Sequence, residues 1–77
     1  MSLLRVSVYP NPSDGVFCVE GRDIERVEAY NTQGQLVQRR ETHADRLKVD
    51  LSSRAHGVYT LRVVTTQGVS LHTVITK

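Results

Sequence analysis

The stretch Val58-Tyr59-Thr60-Leu61-Arg62-Val63-Val64-Thr65-Thr66-Gln67-Gly68-Val69-Ser70-Leu71-His72-Thr73-Val74-Ile75-Thr76 decides the fold class of this chain. From Val58 to Thr66 the side chains alternate: Tyr59, Leu61 and Val63 share one face, and Val58, Thr60, Arg62 and Val64 share the other. A period of two is the mark of a half-buried strand. Thr66-Gln67-Gly68 then supplies a short turn, and Val69 to Thr76 returns as a second β-rich run. Two such runs joined by a glycine-containing turn predict a hairpin.

Working towards the N-terminus, the same grammar repeats. Leu4, Val6 and Val8 alternate ahead of Pro10-Asn11-Pro12-Ser13-Asp14-Gly15, the densest turn cluster in the chain. Each proline fixes φ, removes a backbone donor and biases the residue before it towards extended geometry. This segment predicts a rigid corner leading into Val16–Glu20. Gly21-Arg22-Asp23 predicts a break, Arg26–Tyr30 a strand, and Asn31-Thr32-Gln33-Gly34 a turn into Leu36–Arg40. The polar stretch from Glu41 to Asp45 reads as a loop, Leu47, Val49 and Leu51 as alternating strand positions, and residues 52–57 as a connection with room for one helical turn. About seven short strands with turns every 8–12 residues predict an all-β, immunoglobulin-like two-sheet antiparallel sandwich.

Composition agrees. Valine occurs twelve times and alanine three, and β-branched side chains suit a pleated surface better than a helix. Seventy-seven residues make one domain, which buries about 60% of the surface its unfolded chain exposes. The net charge is +2, and Arg39-Arg40 is the only adjacent basic pair, followed at once by Glu41. With 5% aromatics and no basic stripe, no nucleic-acid partner is expected. No apolar run approaches the ~20 residues that span a bilayer, so no direct membrane insertion is expected. Met1-Ser2-Leu3-Leu4-Arg5 lacks the form of a signal peptide, so export would need a signal carried elsewhere in a longer protein.

Residues that carry chemistry are sparse. Cys18 is the single cysteine; it can form no internal disulfide and no thiolate zinc cage, and in its apolar run it reads as a small core residue. His43, His56 and His72 are widely spaced and none stands at metal-ligand spacing from another. Asp14, Asp23, Asp45 and Asp50 suit turns, where short carboxylates bond to nearby backbone. Ser52-Ser53 near His56 lacks a hydrolase's strand-to-helix elbow. No cofactor, no metal and no enzymatic activity are expected. Gly57 and Tyr59 read as a strand opening and a core tyrosine whose hydroxyl satisfies a buried carbonyl.

Four elements in order give the chain a family likeness: Val8-Tyr9-Pro10-Asn11-Pro12, then Tyr30-Asn31-Thr32-Gln33-Gly34, then Asp50-Leu51-Ser52, then Gly57-Val58-Tyr59, with a last hairpin ending in Lys77. In these the chain resembles the C-terminal sorting domains of the type IX (Por) secretion system, type A. It departs from them at Arg54, where an apolar residue is common, and at Ala55, where proline is frequent. It also departs at Thr73, for a basic residue, and at Thr76, for an apolar one.

The resemblance implies a secretion signal: residues 1–77 would be one sorting domain from the end of a larger cargo protein lying upstream. Such cargo enters the periplasm by an N-terminal signal peptide and crosses the outer membrane through the type IX translocon. It is met by a shuttle component and is usually cleaved upstream of the sorting domain by a cell-surface sortase that attaches it to lipopolysaccharide. Cargo ends at the outer membrane, on the cell surface or in the medium. On this reading Tyr9, Pro10, Asn11, Pro12, Gly34, Asp50 and Leu51 are mainly structural. The read-out surface is expected in the last hairpin, at Gly57, Tyr59, Gly68, Val74, Ile75 and Lys77, through strand addition to a free edge. An edge strand, or Cys18, also offers a route to a dimer. The alternative is an immunoglobulin-like accessory module that binds carbohydrate or protein at the cell surface, since fold does not fix function.

Overall fold

The computed structural model describes residues 5–77. Its strands in chain order are β1 (Ser7–Tyr9), β2 (Val16–Tyr30), β3 (Leu36–Asp50), β4 (Gly57–Thr65) and β5 (Gly68–Thr76). All pair antiparallel within one hydrogen-bonded sheet, and no helix occurs among the described residues. The all-β antiparallel reading therefore holds, but the strands number five rather than about seven.

The reason lies in β2 and β3. Gly21-Arg22-Asp23 does not end a strand; it is a bulge inside one. Between Glu20 and Ile24, β2 spends four residues while β3 moves only from Arg46 to Ala44. Surplus residues in one strand bend it and sharpen its twist. Asp23 takes the left-handed backbone (φ 54°), which a short polar side chain tolerates, and its N–H is held by the Asp45 carboxylate at 3.0 Å. The stretch from Glu41 to Asp45, expected as a loop, is the part of β3 facing this bend, with Glu41 opposite Arg26 and Ala44 opposite Ile24. Two predicted pairs of short strands are thus one long, bent hairpin.

The bend lets one strand serve two sets of neighbours. The first half of β2 pairs with β1, and its second half pairs with β4, which carries β5 on its far side. Both halves feed one core: Phe17, Val19, Val49 and Leu51 from the first part, with Ile24, Val27, Ala29, Tyr59, Leu61, Val63 and Val74 from the second. Instead of two separate sheets facing each other, a single sheet is curled over this core. A parallel bridge between Ser13 and Thr76 joins the segment after β1 to β5 and closes the curl at one end.

The turns are built as their residues suggest. Asn31 Oδ1 accepts the N–H groups of Gln33 (2.9 Å) and Gln35 (3.0 Å), so one side chain orders the whole β2–β3 turn. Gly34 supplies its positive φ of 78°. Thr66 and Gln67 form the two-residue β4–β5 loop. The segment after β3 is a turn and not a helix, closed by Arg54 N–H on the Leu51 carbonyl at 3.0 Å.

Candidate functional site

β4 and β5 sort their side chains as the alternation requires. Tyr59, Leu61, Val63 and Val74 are buried beneath the hairpin, while Val58, Val69, Leu71 and Ile75 stand exposed on its outer face. Leu71 is the most open of them, at 67% exposed. Val58 lies opposite Ile75, Thr60 opposite Thr73, Arg62 opposite Leu71 and Val64 opposite Val69, so the outer face has apolar pairs interrupted by one arginine and a threonine pair. That guanidinium is not free: Arg62 Nη1 donates to Glu28 Oε1 on β2 at 3.1 Å, and Arg26 approaches the same oxygen at 3.6 Å. Glu28 is 8% exposed, and burying a carboxylate is costly unless it is paired in this way.

Among the described residues β4 is the one strand paired with β5, and the other edge of β5 meets only the isolated bridge from Ser13 to Thr76. In an antiparallel ladder alternate residues turn both backbone groups away from the neighbour. On β5 these are Val69, Leu71, Thr73 and Ile75. The far half of that edge is already occupied. Asn11 Nδ2 donates to the Thr73 carbonyl and Asn11 Oδ1 accepts the Ile75 N–H, both at 3.0 Å. Ser13 N–H donates to the Ile75 carbonyl at 3.0 Å, and Lys77 N–H donates to the Ser13 carbonyl at 2.8 Å. Val69, Leu71 and the Thr73 N–H have no outward partner among the described residues.

The motif residues converge on this end of the molecule. Gly15 (φ 128°) lies so close to Asp50-Leu51-Ser52 that a Cβ there would come within 2.7 Å of Ser52 Cα, and its carbonyl accepts the Leu51 N–H at 2.7 Å. Asp50 Oδ1 accepts both the Ser52 hydroxyl (2.5 Å) and its N–H (2.9 Å). These two bonds hold the Asp50 carboxyl below its ordinary range. Leu51 fills the core beneath. Ser13 Oγ donates to the Val16 carbonyl and accepts the Gly15 N–H, which fixes the corner from inside. Tyr9 anchors its start by donating its hydroxyl to Glu20, and chiefly for that reason its pKa is pushed up to about 12. The same bond, helped by Arg46, lowers that of Glu20. The Tyr9–Pro10 and Asn11–Pro12 peptide bonds are cis.

The expected recognition residues separate into three groups. Tyr59 and Val74 are buried; the Tyr59 hydroxyl donates to the Ala55 carbonyl, and Val74 supports β5 from beneath. Gly57 and Gly68 frame the hairpin, Gly57 exchanging two hydrogen bonds with the Thr76 hydroxyl. Ile75 is exposed but its backbone is taken by the corner, and Lys77 lines a shallow hollow with Pro10, Pro12, Asp14 and Val16. Leu71 and Val69 were not singled out from sequence. Their outward position opposite Arg62 and Val64 was the available signal. Of the family departures, Arg54 donates to the Val37 carbonyl, and Thr76 is the hydroxyl that Gly57 uses.

Compared with known protein families, residues 7–77 match the one described as "Secretion system C-terminal sorting domain". The chain belongs to this family. The match covers all five strands of the sorting domain. Among curated proteins none matches the chain. The sorting domain is a C-terminal signal for type IX secretion. It acts through the type IX secretion machinery, and the route it serves leads across the outer membrane to the cell surface.

Proposed function

We propose that the sorting domain is a folded, non-enzymatic address label read at the open segment of β5, from Val69 to the Thr73 N–H. The observation that carries this reading is the apolar edge left uncovered among the described residues: Val69 and Leu71 offer backbone donors and acceptors with no partner there, together with exposed side chains. A component of the translocon or its shuttle could add an extended strand there, main-chain bonds giving affinity and the flanking apolar residues specificity. Residues 1–77 would then form one domain at the end of a cargo protein that reaches the periplasm by its own signal peptide. A sortase cut upstream of β1 would release the label as the cargo is attached to lipopolysaccharide.

Deleting the last five residues would not test this, because Val74 belongs to the core. A point change does. Leu71→Lys puts a charge on the open segment while altering stability by no more than about 0.5 kcal/mol, as at other exposed positions. The domain is fused behind a signal-peptide-bearing reporter in a cell with an active type IX system. The expected outcome is about a tenfold loss of exported reporter, counted on the cell surface and in the medium together, with an unchanged unfolding midpoint for the isolated domain. Full export of the folded variant would sink the β5 reading.

A further inference from the structure

We infer that Asn11–Ser13 is an edge plug, which closes the C-terminal half of β5 to strand addition and ends the open segment at the Thr73 N–H. A carboxamide carries the same donor and acceptor as a peptide unit. Asn11 sets both on β5, its Nδ2 on the Thr73 carbonyl and its Oδ1 on the Ile75 N–H. It therefore sits where one peptide of a neighbouring strand would sit, yet it does so with a side chain. Ser13 continues the cover through its own backbone on Ile75 and Lys77.

What distinguishes a plug from an added strand is that it offers no further edge. Pro10 and Pro12 flank Asn11 and have no N–H, so no ladder can be extended across the corner. β5 needs such a device because it contains no Asp, Glu, Lys, Arg or Pro to discourage pairing. Ser13 is held rigidly for the task, at 7% exposed and bonded through its hydroxyl to Val16 and Gly15. The plug works in the same way whatever partner reads the open segment, so it does not depend on the export reading.

Amide hydrogen exchange of the isolated domain, followed residue by residue, tests the plug without any variant. Ile75 N–H should exchange as slowly as the amides of the β4–β5 ladder, and Leu71 N–H should exchange freely. Equal, fast exchange at both overturns the proposal. Asn11→Ala should then speed exchange at Ile75 by about tenfold or more while leaving Val74 slow, and at matched concentration it should sediment as a larger species than the parent. A folded Asn11→Ala domain with fast Ile75 exchange and unchanged sedimentation would show a local bond with no guarding role, and also overturns it. Should Asn11→Ala lose its fold, the parent's Ile75-to-Leu71 contrast decides alone.

Discussion

β3 and β5 each have an open edge, and they protect it by different means. β3 runs for 15 residues and carries seven charged side chains, among them Arg39, Arg40, Arg46 and Lys48. Charge along an edge makes a second strand costly to bring alongside. β5 has none, and its outward residues are Val69, Leu71, Thr73 and Ile75. Its far half is covered by the corner instead. The difference shows that edge protection here is local, and that on β5 the short segment beginning at Val69 escapes both devices.

The largest expected effect comes from breaking the corner that guards β5. Gly15→Val would force a side chain into Ser52 at a positive φ, and should cost about 2–4 kcal/mol in urea unfolding. A loss below about 0.5 kcal/mol, the usual range for an unconstrained surface site, would mean that the contact with Ser52 relaxes freely. Stripping the other edge tests the role of charge. Arg39→Thr, Arg40→Thr and Lys48→Thr together should leave stability within about 0.5 kcal/mol per position, leave export intact, and raise self-association in sedimentation. A variant that stays as dispersed as the parent would show that β3's charges are not its guard.

The smallest effects separate the two edges by pH. His72 on β5 has its pKa lowered from 6.5 by burial, so the folded state favours the neutral ring. Its contribution is present above 6.5 and is lost as pH falls through the folded value. Asp50 on β3 and Glu20, which pairs with Arg46 on β3, are lowered from 3.8 and 4.5. Their contributions are present above those values and are lost only as pH falls further. Thermal unfolding followed from pH 7 to 3 should therefore weaken in two steps. His72→Gln should remove the upper step and Asp50→Asn should reduce the lower one. A single step untouched by either variant would count against this assignment.

The sequence by itself determined the class of the fold, because alternation is a local property: each of Tyr59, Leu61 and Val63 declares its face without knowing its neighbours. Turn chemistry at Asn31–Gly34 and at Thr66–Gln67 was legible for the same reason. The family likeness rested on short motifs that also survive in one dimension. Only the tertiary structure decided the number of strands, since Gly21-Arg22-Asp23 reads equally as a break or as a bulge until the partner strand is seen to continue past it. The pairing of Glu28 with Arg62, 34 residues apart, was likewise invisible in the chain. The candidate site shifted most. The alternation marks the terminal hairpin, but it does not show that Val74 is buried in the core or that the Ile75 N–H is bonded by Asn11, 64 residues upstream. Which part of an edge is free depends on what folds back across it, and that is a property of the closed curl rather than of any stretch of residues.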